Sequence, residues 1–172
     1  MIDLAWLNAL PQDEFTATLG GIFEHSPWVA ERAAAGRPYA TVEHMHQAMC
    51  AVVAAAAHGE QMALIQAHPR LGARGRQRQE LTASSASEQR RAGLDALSDE
   101  QFAELLRLNA QYEQRFGFPF ILAVRGHSPD SILAAMRSRL GNDLEAERRT
   151  ALEQIARIAG LRLADAVKEQ GE

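Results

Sequence analysis

Apolar positions along this chain recur at intervals of three and four residues, the repeat of a helix face and not of a strand. Met45, Met49, Val52, Val53 and Ala56 show it most clearly. Punctuating residues then predict where each helix starts and stops. Asp3 is placed to cap a short helix that ends before Pro11, and a second covers about 13–23. Ser26-Pro27 offers a Ser N-cap and a Pro at the first position of a helix ending at Gly36. Thr41 opens a helix that Gly59 ends. Residues 60–67 form a shorter one stopped by Pro69, since the residue before a proline avoids helical backbone. Residues 70–84, with Gly72, Gly75 and several arginines, read as a surface loop. Ser85 caps a helix to about 97, Ser98 another to about 117, and Ser128-Pro129 starts one that Gly141 ends. Asn142 caps the longest, to about 168, with Gly160 as a candidate kink. The exception is 116–124, which holds Gly117 and Pro119 among apolar residues and reads as extended or irregular. The pattern predicts an all-α fold: one helical domain over 1–172, of about eight to nine helices, with an irregular apolar segment near 116–125.

Composition agrees. Of the 172 residues 47% are hydrophobic, mostly Ala and Leu, which lose little entropy in a helix. A chain of this length can bury its own core without disulfide or metal. The formal net charge of −4 argues against a general nucleic-acid binder, which needs a basic excess. The lone cysteine, Cys50, lies in an apolar run and reads as a small core residue in a reducing compartment, with a nucleophile as the alternative. That run, 48–57, is about half of what a membrane-spanning helix needs. No basic stretch precedes an apolar run at the start, and residues 170–172 are not a peroxisomal address, so a cytoplasmic location is expected.

Three segments could carry chemistry. His68-Pro69 follows a helix and precedes a glycine-containing loop. Its imidazole titrates near neutrality and suits proton transfer, and the rigid proline helps to hold it, although a histidine there could merely cap the helix end. Ser85-Ala86-Ser87-Glu88-Gln89 has the spacing of a capping box, in which Ser and Glu each satisfy a backbone donor. The other reading is that Glu88 and Gln89 face a ligand, and the two compete for the Glu88 carboxylate. The third is 116–125, whose non-helical backbone leaves N–H and C=O groups to be satisfied by a ligand or by another loop. Elsewhere the sequence is bland. His44 and His46 do not share a helix face, and there is no Cys-x-x-Cys or His-Glu-x-x-His, so no metal site is expected. Arg74-Gly75-Arg76-Gln77-Arg78 lacks interleaved aromatics and reads as a solvated loop rather than a phosphate contact.

In order along the chain, these segments resemble a known family, the 2-oxo-4-hydroxy-4-carboxy-5-ureidoimidazoline (OHCU) decarboxylases of urate breakdown. The likeness begins at His25-Ser26-Pro27-Trp28-Val29 and continues through Ala67-His68-Pro69-Arg70-Leu71-Gly72 and Leu81-Thr82. It takes in residues 85–89, Ala92-Gly93-Leu94, Leu108-Asn109, Tyr112 and 116–126, and closes with Ile155-Ala156, Arg162-Leu163 and Asp165. Arg70 stands where many members carry Asp.

The resemblance implies an all-helical homodimer that decarboxylates a small ureido-imidazoline to (S)-allantoin without metal or organic cofactor. By position it implies His68 as the acid–base residue and Glu88 as its partner near the reacting carbon. It gives Pro69, Ser85, Gln89 and the backbone of Phe120, Ile121, Leu122 and Ala123 to substrate binding, and makes Arg162 a substrate-pairing arginine. The only lysine is Lys168, which leaves a Schiff-base decarboxylase without a nucleophile in the body of the chain. Competing readings are a related cyclic-ureide lyase, an interaction module built on helix 42–57, and a nucleic-acid binder using 70–78.

Overall fold

The computed structural model describes residues 1–74 and 76–169. Among them are ten α-helices, one 3-10 turn and a pair of two-residue parallel strands, so the expected all-α class holds. The chain divides into two compact units, one of residues 1–67 with 156 onward, the other of residues 68–155.

The first unit contains β1 (Ile2–Asp3), α1 (Leu4–Ala9), α2 (Gln12–Leu19), α3 (Trp28–Ala33) with the 3-10 turn Ala34–Gly36, α4 (Val42–Ala55) and α5 (His58–Gln66). The end of α10 (Leu144–Ala166) and β2 (Val167–Lys168) complete it. Leu7, Phe15, Leu19, Val29, Met45, Met49, Leu64, Ile65 and Leu163 form its buried core. Ile2 lies opposite Val167 and Asp3 opposite Lys168, a pairing too short to leave any periodic trace in sequence. Asp3 caps α1 as expected, its Oδ1 accepting from Ala5 N–H at 2.8 Å and Trp6 N–H at 3.2 Å. Thr41 likewise caps α4.

Expectations at Gly59 and Ser26 need correction. Gly59 lies inside α5 and ends nothing. The break falls at Ala56 and Ala57, both extended, because the Glu60 carboxylate accepts from Ala57 N–H at 3.2 Å and starts the new helix there. Ser26 is not the cap of α3. Its hydroxyl donates to Glu24 C=O at 2.9 Å, and Pro27 precedes the helix. Gly160 lies within α10. A Cβ there would come within 3.0 Å of the His46 ring, so the glycine makes room for that ring. His46 Nε2 lies 2.8 Å from Ala156 C=O, and since a carbonyl only accepts, this nitrogen carries the proton. Cys50 Sγ is 3.3 Å from the same nitrogen, and burial pushes its thiol pKa up, which suits a packing role and not a nucleophile.

The second unit holds α6 (Arg76–Gln79), α7 (Ala83–Arg91), α8 (Asp99–Phe116), α9 (Pro129–Arg139) and the start of α10. The expected loop 70–84 thus contains a turn of helix and the start of α7, while its Gly75, like residues 170–172, lies outside the described residues. Ser98 and Gln101 cap α8 reciprocally at 3.1 Å each, and Gly117 ends it at φ +77°. Gln101 also donates to Asp130 at 2.9 Å, tying α8 to α9. Asp143, not Asn142, caps α10, through Ala146 N–H at 2.8 Å, and Asn142 turns its amide to Glu147 instead. Among the described residues no single helix is long and apolar enough to cross a membrane.

Candidate active site

His68 is buried, at 7% exposure, and begins a loop whose backbone other elements hold in place. The Gln89 side-chain oxygen accepts from Gly72 N–H at 2.9 Å, and its nitrogen donates to Arg70 C=O at 3.1 Å. Asn109, buried on α8, donates to Leu71 C=O at 3.1 Å. Arg70 forks onto the Glu113 carboxylate of α8 with two hydrogen bonds. Gly72 sits at φ +76°, and a Cβ there would come within 2.2 Å of Leu105 Cδ2. Only glycine combines that backbone with so close an approach.

The next candidates come from α7, which starts three residues earlier than expected. Thr82 is the N-cap, its hydroxyl accepting from Ser85 N–H at 3.2 Å. Ser85 is therefore the third residue of the helix, and Ser85-x-x-Glu88 is not the capping box. This start puts Ser85, Gln89 and Ala92 on one buried face, spaced by four and three. Glu88, half-buried, is the sixth residue of α7 and so not the partner of an N-cap at Ser85. The helix ends at Arg91, not near 97, because Gly93 turns left-handed at φ +78°. Gly93 N–H then reaches Arg90 C=O at 3.0 Å and Leu94 N–H reaches Gln89 C=O at 3.1 Å.

After α8 the chain runs irregularly through 118–124, as the sequence predicts, with Phe120, Ile121 and Ala123 buried and Leu122 half-buried. Phe118 and Phe120 meet the Tyr112 ring edge-on at centroid distances of 5.9 and 5.2 Å. The backbone is held from α9 and α10. Arg139 Nη1 donates to Ile121 C=O at 2.6 Å, with its guanidinium 4.3 Å from the Phe120 ring centroid. Gln154 Oε1 accepts from Ala123 N–H at 3.0 Å. Arg139 is itself aimed by the fully buried Glu147, which accepts from Arg139 Nε at 2.7 Å, from Asn142 at 2.9 Å and from the Tyr112 hydroxyl. Burial and the Glu147 carboxylate push the Tyr112 phenol well above its ordinary range, so it stays a donor.

Nine of the ten candidates therefore fall in one unit, His68, Pro69, Ser85, Glu88, Gln89 and residues 120–123. The tenth, Arg162, belongs to the other. It is buried there and pairs with the buried Glu24 at 2.8 Å, also donating to Ile22 C=O at 3.3 Å. Among the described residues no group of three or more His, Cys, Asp or Glu converges as a metal-binding set.

The family model described as OHCU decarboxylase matches residues 8–164. The chain belongs to the OHCU decarboxylase family. Within the wider set of relatives, the OHCU decarboxylase of Haloferax volcanii is 44% identical over 164 residues, covering 95% of each chain. A uric acid degradation bifunctional protein of Bacillus subtilis is 45% identical over 96% of this chain, which spans 33% of that longer protein. The crystal structure of (S)-allantoin synthase superposes with a TM-score of 0.77 at 31% identity, over 96% of this chain and 54% of that one.

Sequence reasoning named Asn109 in the family likeness without a role and missed Arg139, Glu147 and Gln154, which with Asn109 are the polar residues that hold this family member's loops. Two left a trace. Asn109 interrupts the apolar face of Leu105, Leu108, Tyr112 and Phe116 on α8, and Glu147 precedes Ala151 and Ile155 on the buried row of α10. A polar residue on a buried face needs a hydrogen-bonding partner, and that requirement marks it for attention.

Proposed function

We propose that this chain, as a cytoplasmic homodimer, converts OHCU to (S)-allantoin and carbon dioxide, with His68 delivering a proton to one face of the ring. The bond from the ring to its carboxylate breaks, and carbon dioxide leaves. The electron pair moves through the conjugated ring onto its imine nitrogen, a proton is added at the carbon bearing the ureido group, and the hydroxyl of the carbon that lost carbon dioxide becomes the ring carbonyl as its proton passes to that nitrogen. The ring accepts the electron pair, so a separate electron sink is not part of this scheme.

The protein then has three tasks. Packing around His68 and Pro69 turns the carboxylate out of the ring plane, and Glu88 disfavours it by like charge. Backbone N–H groups of the 120–123 segment stabilise the charge that develops on the ring. Ala123 N–H already serves Gln154, so Phe120, Ile121 and Leu122 are the donors proposed for that work. His68 supplies the proton and so fixes the enantiomer. Ser85 completes the binding surface, and Gln89 contributes by holding the loop that follows His68.

The observation that carries this reading is family membership across residues 8–164, together with the gathering of the His68, α7 and 120–123 segments in one unit. The test generates OHCU in the cuvette from urate with urate oxidase and hydroxyisourate hydrolase. The chain is added and the circular dichroism of allantoin followed, with and without a chelator. A rapid, chelator-resistant (S)-allantoin signal is expected, with enantiomeric excess lost in His68→Asn. A trace matching the uncatalysed racemic decay overturns the decarboxylase assignment. An unchanged rate and enantiomer in His68→Asn removes the histidine from the protonation step.

A further inference from the structure

We infer that the face of α8 carrying Leu105, Asn109 and Glu113 sets the position of His68, with Asn109 and Glu113 as positioning residues. This rests on the role proposed above for His68. The three residues are spaced by four, so they form a single row along the helix. They meet consecutive residues of the loop in reverse order. Leu105 lies against Gly72, Asn109 binds Leu71 C=O, and Glu113 forks onto Arg70. Gln89 holds Arg70 C=O and Gly72 N–H from α7. Of these three residues, which follow His68 by two to four positions, Arg70 and Leu71 are thus hydrogen-bonded from α8, and Gly72 lies against Leu105 with its N–H held from α7.

Pro69 helps to transmit that placement, because its ring fixes φ, one of its own two soft backbone angles. Burying Asn109 for stability alone is a poor exchange. An apolar side chain on that face would avoid the desolvation cost that the hydrogen bond to Leu71 only offsets. An exposed ion pair such as Arg70–Glu113 also contributes little to stability, yet a two-pronged fork specifies geometry. Both features make sense as devices that aim a loop.

The test compares wild type, His68→Asn, Asn109→Asp, Arg70→Glu, Glu113→Arg and the exchange Arg70→Glu/Glu113→Arg. Turnover, KM, allantoin enantiomeric excess and Tm are read for each. Asn109→Asp keeps the shape but replaces the donor with an acceptor facing a carbonyl. It is expected to lower kcat by about 10- to 100-fold, the scale of a displacement near 1 Å. KM should stay within about threefold while the product drifts toward the racemate. Arg70→Glu and Glu113→Arg should each lower kcat by about three- to fivefold, and the exchange should recover most of it. If Asn109→Asp does not fold, the exchange series decides. Wild-type kcat and enantiomeric excess in the charge variants, or an exchange that folds but recovers nothing, overturns the inference. If His68→Asn leaves rate and enantiomer unchanged, this inference and the histidine's proposed role fall together. If His68→Asn is racemic while every α8 and loop variant is normal, only this inference falls.

Discussion

Replacing Gly72 with Ala tests the contact between the loop and α8 with a single methyl group. At φ +76° an L-residue adopts the left-handed region, which costs about 1–2 kcal/mol. The new Cβ would also sit 2.2 Å from Leu105 Cδ2, and Leu105 is 1% exposed, so its methyl has little space to retreat into. Overpacking of that kind costs about 1–3 kcal/mol. The sum is about 2–5 kcal/mol, a large part of a total stability of about 5–15 kcal/mol. For a chain of this size it lowers Tm by about 4–20 °C. Gly126→Ala separates the two effects. Its φ is +83° but a Cβ there meets nothing within 4 Å, so it carries the backbone cost alone. Thermal unfolding followed by far-ultraviolet circular dichroism gives both Tm values, and their difference reports the clash with Leu105. Turnover of Gly72→Ala, measured well below its Tm, should also fall because the displaced loop carries His68. If Gly72→Ala melts no lower than Gly126→Ala, the close packing of the loop on α8 is refuted.

Other outcomes follow from the buried polar groups. Arg139→Leu leaves the Glu147 charge buried without its cation and should cost about 3–5 kcal/mol in urea unfolding, much of it recovered in Arg139→Leu/Glu147→Leu; a loss under about 1 kcal/mol would contradict the pairing. Unfolded tyrosine ionises near 10.0 and native Tyr112 well above it, so the unfolded state alone releases this proton above that pH. That contribution is full below about pH 10 and is lost as pH climbs toward the native value. Tyr112→Phe should therefore lose stability less steeply than wild type above about pH 10, and equal slopes would remove the effect. The Cys50 thiol, raised by burial, should alkylate with iodoacetamide more slowly than free cysteine at neutral pH, and Cys50→Ala should retain turnover; inactivation matched to alkylation would reopen the nucleophile reading.

What was legible in the sequence was local. Helix faces followed from spacing, and caps were correct at Asp3, Thr41, Ser98 and Ser128. They slipped at Ser26, whose hydroxyl turns to Glu24 C=O, and at Thr82 with Ser85 and Asn142 with Asp143, where the choice depends on which face is then buried. Candidate site residues could be nominated from their own segments and family likeness. Their supports could not, since Gln89 reaches back 17 residues to Gly72, Asn109 reaches 38 to Leu71, and Tyr112 meets a carboxylate 35 residues ahead. No local pattern encodes such partners. A polar residue on an apolar face shows only that a partner exists.

The pairing of Ile2 with Val167 also governs how the chain is made. Residues 68–155 form a unit that is continuous in sequence, whereas the other unit joins residues 1–67 to the segment from 156 onward. During synthesis the first helices therefore leave the ribosome long before the strand and helix end that complete their core. At about 5–20 residues per second, the 88 intervening residues, 68–155, impose a wait of about 4–18 s. For that interval the apolar faces of α1 to α5 lack their last partner and are open to chaperones, while the later-made, uninterrupted unit can finish first.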